Sequence, residues 1–165
     1  ALLDDVPGLA VRVLHNLASL PASFSSPVQV QCVVTRRNQD RLEELALALR
    51  ETRAGWMTFS FYVPREGDAG PDAWATNEER AAAVREVLRL KAKYPGFIRN
   101  TTRSLELMLP PHAERVTAAC PARDAVLPLY LEDDHFTTPF CCYGNDVDCA
   151  RCGAWIVFHL AARME

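Results

Sequence analysis

The sequence predicts an α/β fold with parallel strands, followed by a small cysteine-rich extension. Three observations carry this expectation. Apolar residues recur by turns at helical and at strand spacing through residues 1–110; the stretches between strand segments are long enough to hold a helix each; and four of the six cysteines fall within residues 141–152. Such alternation implies parallel strands joined by crossovers, as in an open sheet or part of a barrel. Three strands cannot close a barrel by themselves.

Residues 9–19 place Ala10, Val13, Leu14 and Leu17 on one side of a helix, which the turn-rich stretch from Pro21 to Pro27 ends. In Val28–Val34 the residues Val28, Val30, Cys32 and Val34 share one strand face, leaving Gln29 and Gln31 on the other, with Thr35 expected to join them. Asp40 and Glu43 open a helix over 40–52 whose stripe is Leu42, Leu45, Ala46 and Leu49. Met57–Val63 is rich in aromatic residues and stops at Pro64, and Gly67, Gly70 and Pro71 then mark a surface loop. Thr76 and Glu79 open a third helix carrying Ala81, Val84 and Leu88; Phe97 and Ile98 form a short strand, and a last helix holds Leu105, Met108 and Leu109.

Pro110 and Pro111 break the pattern, so the chain is divided into residues 1–110, the α/β segment, and 111–165, the extension. In the extension two short strands are expected around Asp133 and Asp134, and Trp155, Ile156, Phe158 and Leu160 suggest an apolar helix that fastens the tail down.

Composition narrows the function classes. With 165 residues, 49% hydrophobic and 24% charged, the chain can bury one core and is too apolar for disorder. A net charge of -3 speaks against a nucleic-acid partner. No uncharged apolar run approaches the roughly 18 residues of a membrane span, and the N-terminus lacks a basic segment leading into an apolar stretch. The expected compartment is therefore the cytoplasm, where thiols stay reduced. The first residue is Ala1 rather than Met, which suggests excision from a longer polypeptide.

The sharpest chemical signal is Cys149-Ala150-Arg151-Cys152-Gly153. Two thiolates separated by two residues can reach one metal from a tight turn. Cys120, Cys141 and Cys142 raise the available thiolates to five where a tetrahedral site or a cluster uses four. Cys141 and Cys142 cannot both point inward from a strand, so one of them is spare. Cys32, alternating with valines, is a core residue. A structural zinc module uses the same four-thiolate chemistry; a redox dithiol and a disulfide-stapled secreted domain are weaker readings. The histidines at 15, 112, 135 and 159 share no spacing, and no phosphate loop, dinucleotide glycine pattern, nucleophile elbow or zincin motif occurs. Chemistry here needs a cofactor.

The stretch from Val28 to Leu45 followed by Met57–Pro64 resembles the fifth and sixth strands of the partial (β/α)6 TIM-like barrel of the radical S-adenosylmethionine superfamily, most closely its molybdenum-cofactor-type branch. Gln31 stands where those proteins often have Asn. Leu90–Met108 resembles the exit from that barrel, and Cys120, Cys141 and Cys149-x-x-Cys152 are similar to the SPASM or Twitch-like extensions that bind an auxiliary iron–sulfur cluster.

The resemblance implies the C-terminal half of such a barrel with its cysteine-rich extension. It also implies Gln31 and main chain near Ser60 bordering S-adenosyl-L-methionine, and Cys120, Cys141, Cys149 and Cys152 holding an auxiliary 4Fe–4S cluster, with Cys142 as alternate. Cys141 is preferred because it follows Thr138-Pro139-Phe140 like the strand-ending cysteine of those extensions. The superfamily's C-x-x-x-C-x-x-C loop is not present in this sequence. A full-length parent would generate a 5′-deoxyadenosyl radical for hydrogen abstraction from a small-molecule or peptide substrate. This chain, partnered by the N-terminal part of the same enzyme, would supply a barrel wall and the auxiliary site, and would be inactive alone.

Overall fold

A computed structural model describes residues 8–141 and 143–165. The first helix, α1 (Leu9–Ala18), has its apolar side only half-buried. Strands β1 (Val28–Val34) and β2 (Ala54–Phe61) pair in parallel, with Gln31 opposite Thr58, Cys32 opposite Phe59 and Val33 opposite Ser60. Between them a 3-10 turn leads into α2 (Leu42–Arg50), which buries Leu42, Leu45, Ala46 and Leu49, the stripe expected from the sequence. The unit is therefore β-α-β, and the alternation of strand side chains decides its faces. Cys32, Val34, Met57, Phe59 and Phe61 lie in the core beneath the helices, whereas Gln29, Gln31 and Val33 are exposed on the other face.

Helix α3 (Asn77–Lys93) starts where the Thr76 hydroxyl accepts from the Glu79 N–H at 3.2 Å, and the Glu79 carboxylate reaches back to the Ala75 N–H at 3.0 Å. The strand expected at Phe97 and Ile98 is a single parallel bridge beside β2, made by Met57 N–H to Phe97 O and Arg99 N–H to Met57 O. Its shortness has a local cause. The side-chain amide of the fully buried Asn100 takes over the next rung, accepting from Phe59 N–H and donating to Phe59 O, both at 2.8 Å. β2 itself starts three residues earlier than the sequence suggests and ends at Phe61.

Helix α4 (Thr102–Leu107) leads into two short helices that the sequence did not announce, α5 (His112–Ala118) and α6 (Ala122–Ala125). The expected strand pair follows as an antiparallel hairpin, β3 (Tyr130–Glu132) and β4 (His135–Thr137), turning at Asp133 and Asp134 with φ of 43° and 65°. Helix α7 (Trp155–Met164) then folds back over α4 and β2. Ala113, Ala154, Val157 and Phe158 belong to the same buried cluster as Phe59 and Phe61, so the division at residue 110 does not divide the core. The fold is α/β, and the described strands do not close a barrel. Among the described residues no helix is long and apolar enough to cross a membrane.

Candidate metal centre

The Cys149-x-x-Cys152 turn is seated on the exit of β2. Glu66 N–H donates to Asp146 O (2.8 Å), Asp148 N–H to Pro64 O (2.9 Å) and Phe61 N–H to Gly153 O (2.9 Å), laying residues 146–153 along the end of the strand. The seat requires glycine at its last contact, because a Cβ on residue 153 would stand 2.4 Å from Tyr62 O. The Asp148 carboxylate accepts from both Arg151 N–H (3.2 Å) and Arg151 Nε (2.7 Å), which closes the 3-10 turn Cys149–Arg151.

Donors from the turn itself and from α3 then meet the turn's carbonyls one after another. Cys152 N–H donates to Cys149 O (3.2 Å), Asn77 Nδ2 to Ala150 O (2.9 Å), and Arg80 Nη1 to Arg151 O (2.8 Å) and Cys152 O (2.7 Å). Arg151 adds two tethers of its own, to Trp74 O and Asp68 O at 3.0 Å each. A backbone bonded at every carbonyl from 149 to 153 holds its side chains in fixed directions, which is what a preformed ligand loop needs.

The other cysteines come from different parts of the chain. Cys120 lies between α5 and α6, Cys141 follows the hairpin, and both line one small cavity together with Cys149 and Cys152. Its other walls are mainly apolar, among them Val63, Val126, Pro128, Val147 and Val157, and its volume is about 30 Å³. Burial pushes the Cys152 thiol up to about 11, with Cys120 and Cys141 pushing the same way, against the Ala154 N–H and the Arg80 charge. The five cysteines among the described residues are all free thiols. Among those residues, no three Cys, His, Asp or Glu side chains are gathered closely enough to hold a single ion as they stand.

Comparison of the chain with protein-family models, with curated proteins and with solved structures finds no match. The candidate site therefore stands on its geometry.

The structure brings all four cysteines expected as ligands to one cavity; Cys142, the alternate, lies outside the described residues. Cys32 is 8% exposed on the helix-covered face of β1, its thiol pushed up to about 11 by burial, as befits a core residue. Gln31 is exposed on the opposite face. Ser60 is 4% exposed, and its Oγ accepts from the Trp155 N–H at 3.2 Å, so the first turn of α7 covers it. None of the histidines lines the cysteine cavity; His159 stacks on Trp155 at 4.8 Å.

The supporting residues Asn77, Arg80 and Asp148 are absent from the sequence reading, and Gly153 enters it only as the end of the cysteine motif. One of them left a legible trace. Arg80 stands four and seven residues before Val84 and Val87, a charged residue on the buried stripe of α3.

Proposed function

We propose that Cys120, Cys141, Cys149 and Cys152 hold an auxiliary iron–sulfur cluster, and that the chain is the C-terminal part of a radical S-adenosylmethionine enzyme. One observation carries the reading: four thiols from three separate stretches of the chain share one cavity whose other walls are largely apolar. Buried thiols scattered through a core as small hydrophobes have no reason to share a cavity. The donor set fits the group, since soft thiolates select zinc, copper(I) and iron–sulfur centres.

A structural zinc, the second reading, would use the same four thiolates. Bound here, a cluster would supply one-electron transfer or an anchor for the extension, whereas zinc would supply the anchor alone.

Two further features support the parent enzyme. The β-α-β unit with a third parallel bridge is the kind of piece a barrel wall is made from, and Gln31 lies on its exposed polar face, where S-adenosyl-L-methionine would be bordered. The main chain near Ser60 lies under α7, so Gln31 is the more accessible of the two. The chain would act with the N-terminal part of the same enzyme, in the cytoplasm, on a small molecule or peptide.

Anaerobic purification of the full chain with iron, sulfide and zinc analysis and a visible spectrum tests the centre. Iron with labile sulfide and a brown absorption supports the cluster, and colourless stoichiometric zinc supports the second reading. Protein that takes up neither metal overturns both.

A further inference from the structure

Arg80 is 2% exposed, the largest side chain buried to that degree, and it lies against the cysteine turn. One nitrogen, Nη1, makes both of its hydrogen bonds, to Arg151 O and Cys152 O; Nε and Nη2 are buried without a partner. Among the described residues no carboxylate forms an ion pair with it. The charges that bear on it are Cys152 and Glu114, and the exposed Glu114 carboxylate accepts from Asn77 instead.

Holding two carbonyl oxygens does not require a cation, because a neutral amide donates as well. Burying an uncompensated guanidinium is costly unless an anion lies beside it. Beyond Glu114, which bonds Asn77 instead, the groups here able to become anions are the thiols lining the cavity that Cys152 shares. Four thiolates around a divalent ion, or around a cluster of the same charge, make a net negative centre.

We propose that Arg80 is the built-in counter-charge of the thiolate centre, a guanidinium with two unpartnered nitrogens that is matched when metal binding turns the thiols into thiolates. This rests on the reading of Cys120, Cys141, Cys149 and Cys152 as metal ligands. Arg80 touches no metal in this scheme. It acts through Cys152 as a positioning residue, its carbonyl bonds fixing the turn and its charge favouring the thiolates.

The test uses the full chain, with cobalt(II) as a spectroscopic probe of thiolate ligation, and compares Arg80→Gln, which keeps N–H donors without charge, with Arg80→Lys, which keeps the charge. Arg80→Gln should bind cobalt about 10- to 100-fold more weakly than the unsubstituted chain, and Arg80→Lys should recover most of that loss. The rise in thermal midpoint on adding cobalt should shrink in Arg80→Gln, while its metal-free midpoint should equal or exceed that of the unsubstituted chain. If the protein takes up a cluster, its reduction potential should fall in Arg80→Gln and return in Arg80→Lys.

Equal cobalt affinity in Arg80→Gln overturns the inference. So does equal weakening in both variants, which would make Arg80 a carbonyl clamp only, and so does failure of Arg80→Gln to fold without metal. If the unsubstituted chain binds neither cobalt nor iron and sulfide, the centre itself fails and this inference goes with it; the other outcomes leave the centre standing.

Discussion

Gly153 and Tyr62 approach so closely that a Cβ on residue 153 would lie 2.4 Å from the Tyr62 carbonyl oxygen and 2.8 Å from the Phe61 Cβ. The first of these contacts is with backbone, which cannot swing aside as a flexible side chain could. Gly153→Ala should therefore push the cysteine turn off β2 and lengthen the bond from Phe61 N–H to Gly153 O. The expected loss is about 1–3 kcal/mol of stability, measured by denaturant unfolding, together with weaker metal retention. An unchanged midpoint would show that the turn relaxes freely and that its seat is not rigid.

Arg151 joins its own turn to the loop between β2 and α3 through Asp148, Trp74 O and Asp68 O, and its side chain is only 18% exposed. Arg151→Met keeps the stem and leaves those acceptors without their donor, at a cost of about 1–3 kcal/mol. The loss should be local. Hydrogen exchange is expected to rise in residues 66–75 and 146–152 while β1 and β2 stay protected; a uniform rise across the chain would refute the tether.

How much of this was legible beforehand depended on whether a pattern was periodic. The stripe of Leu42, Leu45, Ala46 and Leu49 and the alternation around Cys32 were readable because each repeats over several residues. The hairpin turn was readable because Asp133 and Asp134 tolerate positive φ. Helices α5 and α6 were not, being seven and four residues long, too short for a hydrophobic period to declare itself. The cysteines were legible as residue types, but their convergence was not. What fixes the turn is a set of single contacts from Asn77, Arg80 and Phe61, about 73 and 71 residues away in the first two cases, and no local pattern records contacts at that separation.

Glu43 accepts from Lys93, Arg89 and Tyr94, tying α2 to the end of α3, and these bonds hold its carboxyl down at about 2. A carboxylate whose folded value is depressed stabilises the fold above its unfolded value and loses that contribution as the pH falls towards the folded one. The stabilisation from Glu43 should thus be complete above about 4.5 and disappear towards about 2. Thermal midpoints of the unsubstituted chain and Glu43→Gln should differ near neutral pH and converge across that window. A constant difference would mean that Glu43 contributes through packing rather than charge.

Two thiols, the buried Cys32 and the half-buried Cys152, are both pushed up to about 11, yet only Cys152 faces the shared cavity. For Cys32 the consequence concerns stability alone. Its neutral form is kept in the folded chain, so its contribution is intact below about 9 and is lost as the pH rises towards about 11. Cys32→Val, flanked by Val30 and Val34, should flatten that alkaline decline without altering metal uptake.

For Cys152 the same shift acts on binding. A metal takes the thiolate, so uptake must expel the proton that the thiol carries near neutral pH, and apparent affinity gains about tenfold per pH unit from this residue alone. That gain should continue up to about 11, where Cys152 ionises unaided. Cobalt titrations over a pH series should give a steeper slope for the unsubstituted chain than for Cys152→Ser, the difference being about one proton. Proton release on cobalt addition, followed with an indicator dye, should fall by the same amount. Parallel slopes in the two proteins would remove Cys152 from the ligand set while leaving Cys120, Cys141 and Cys149 to be tested in the same way.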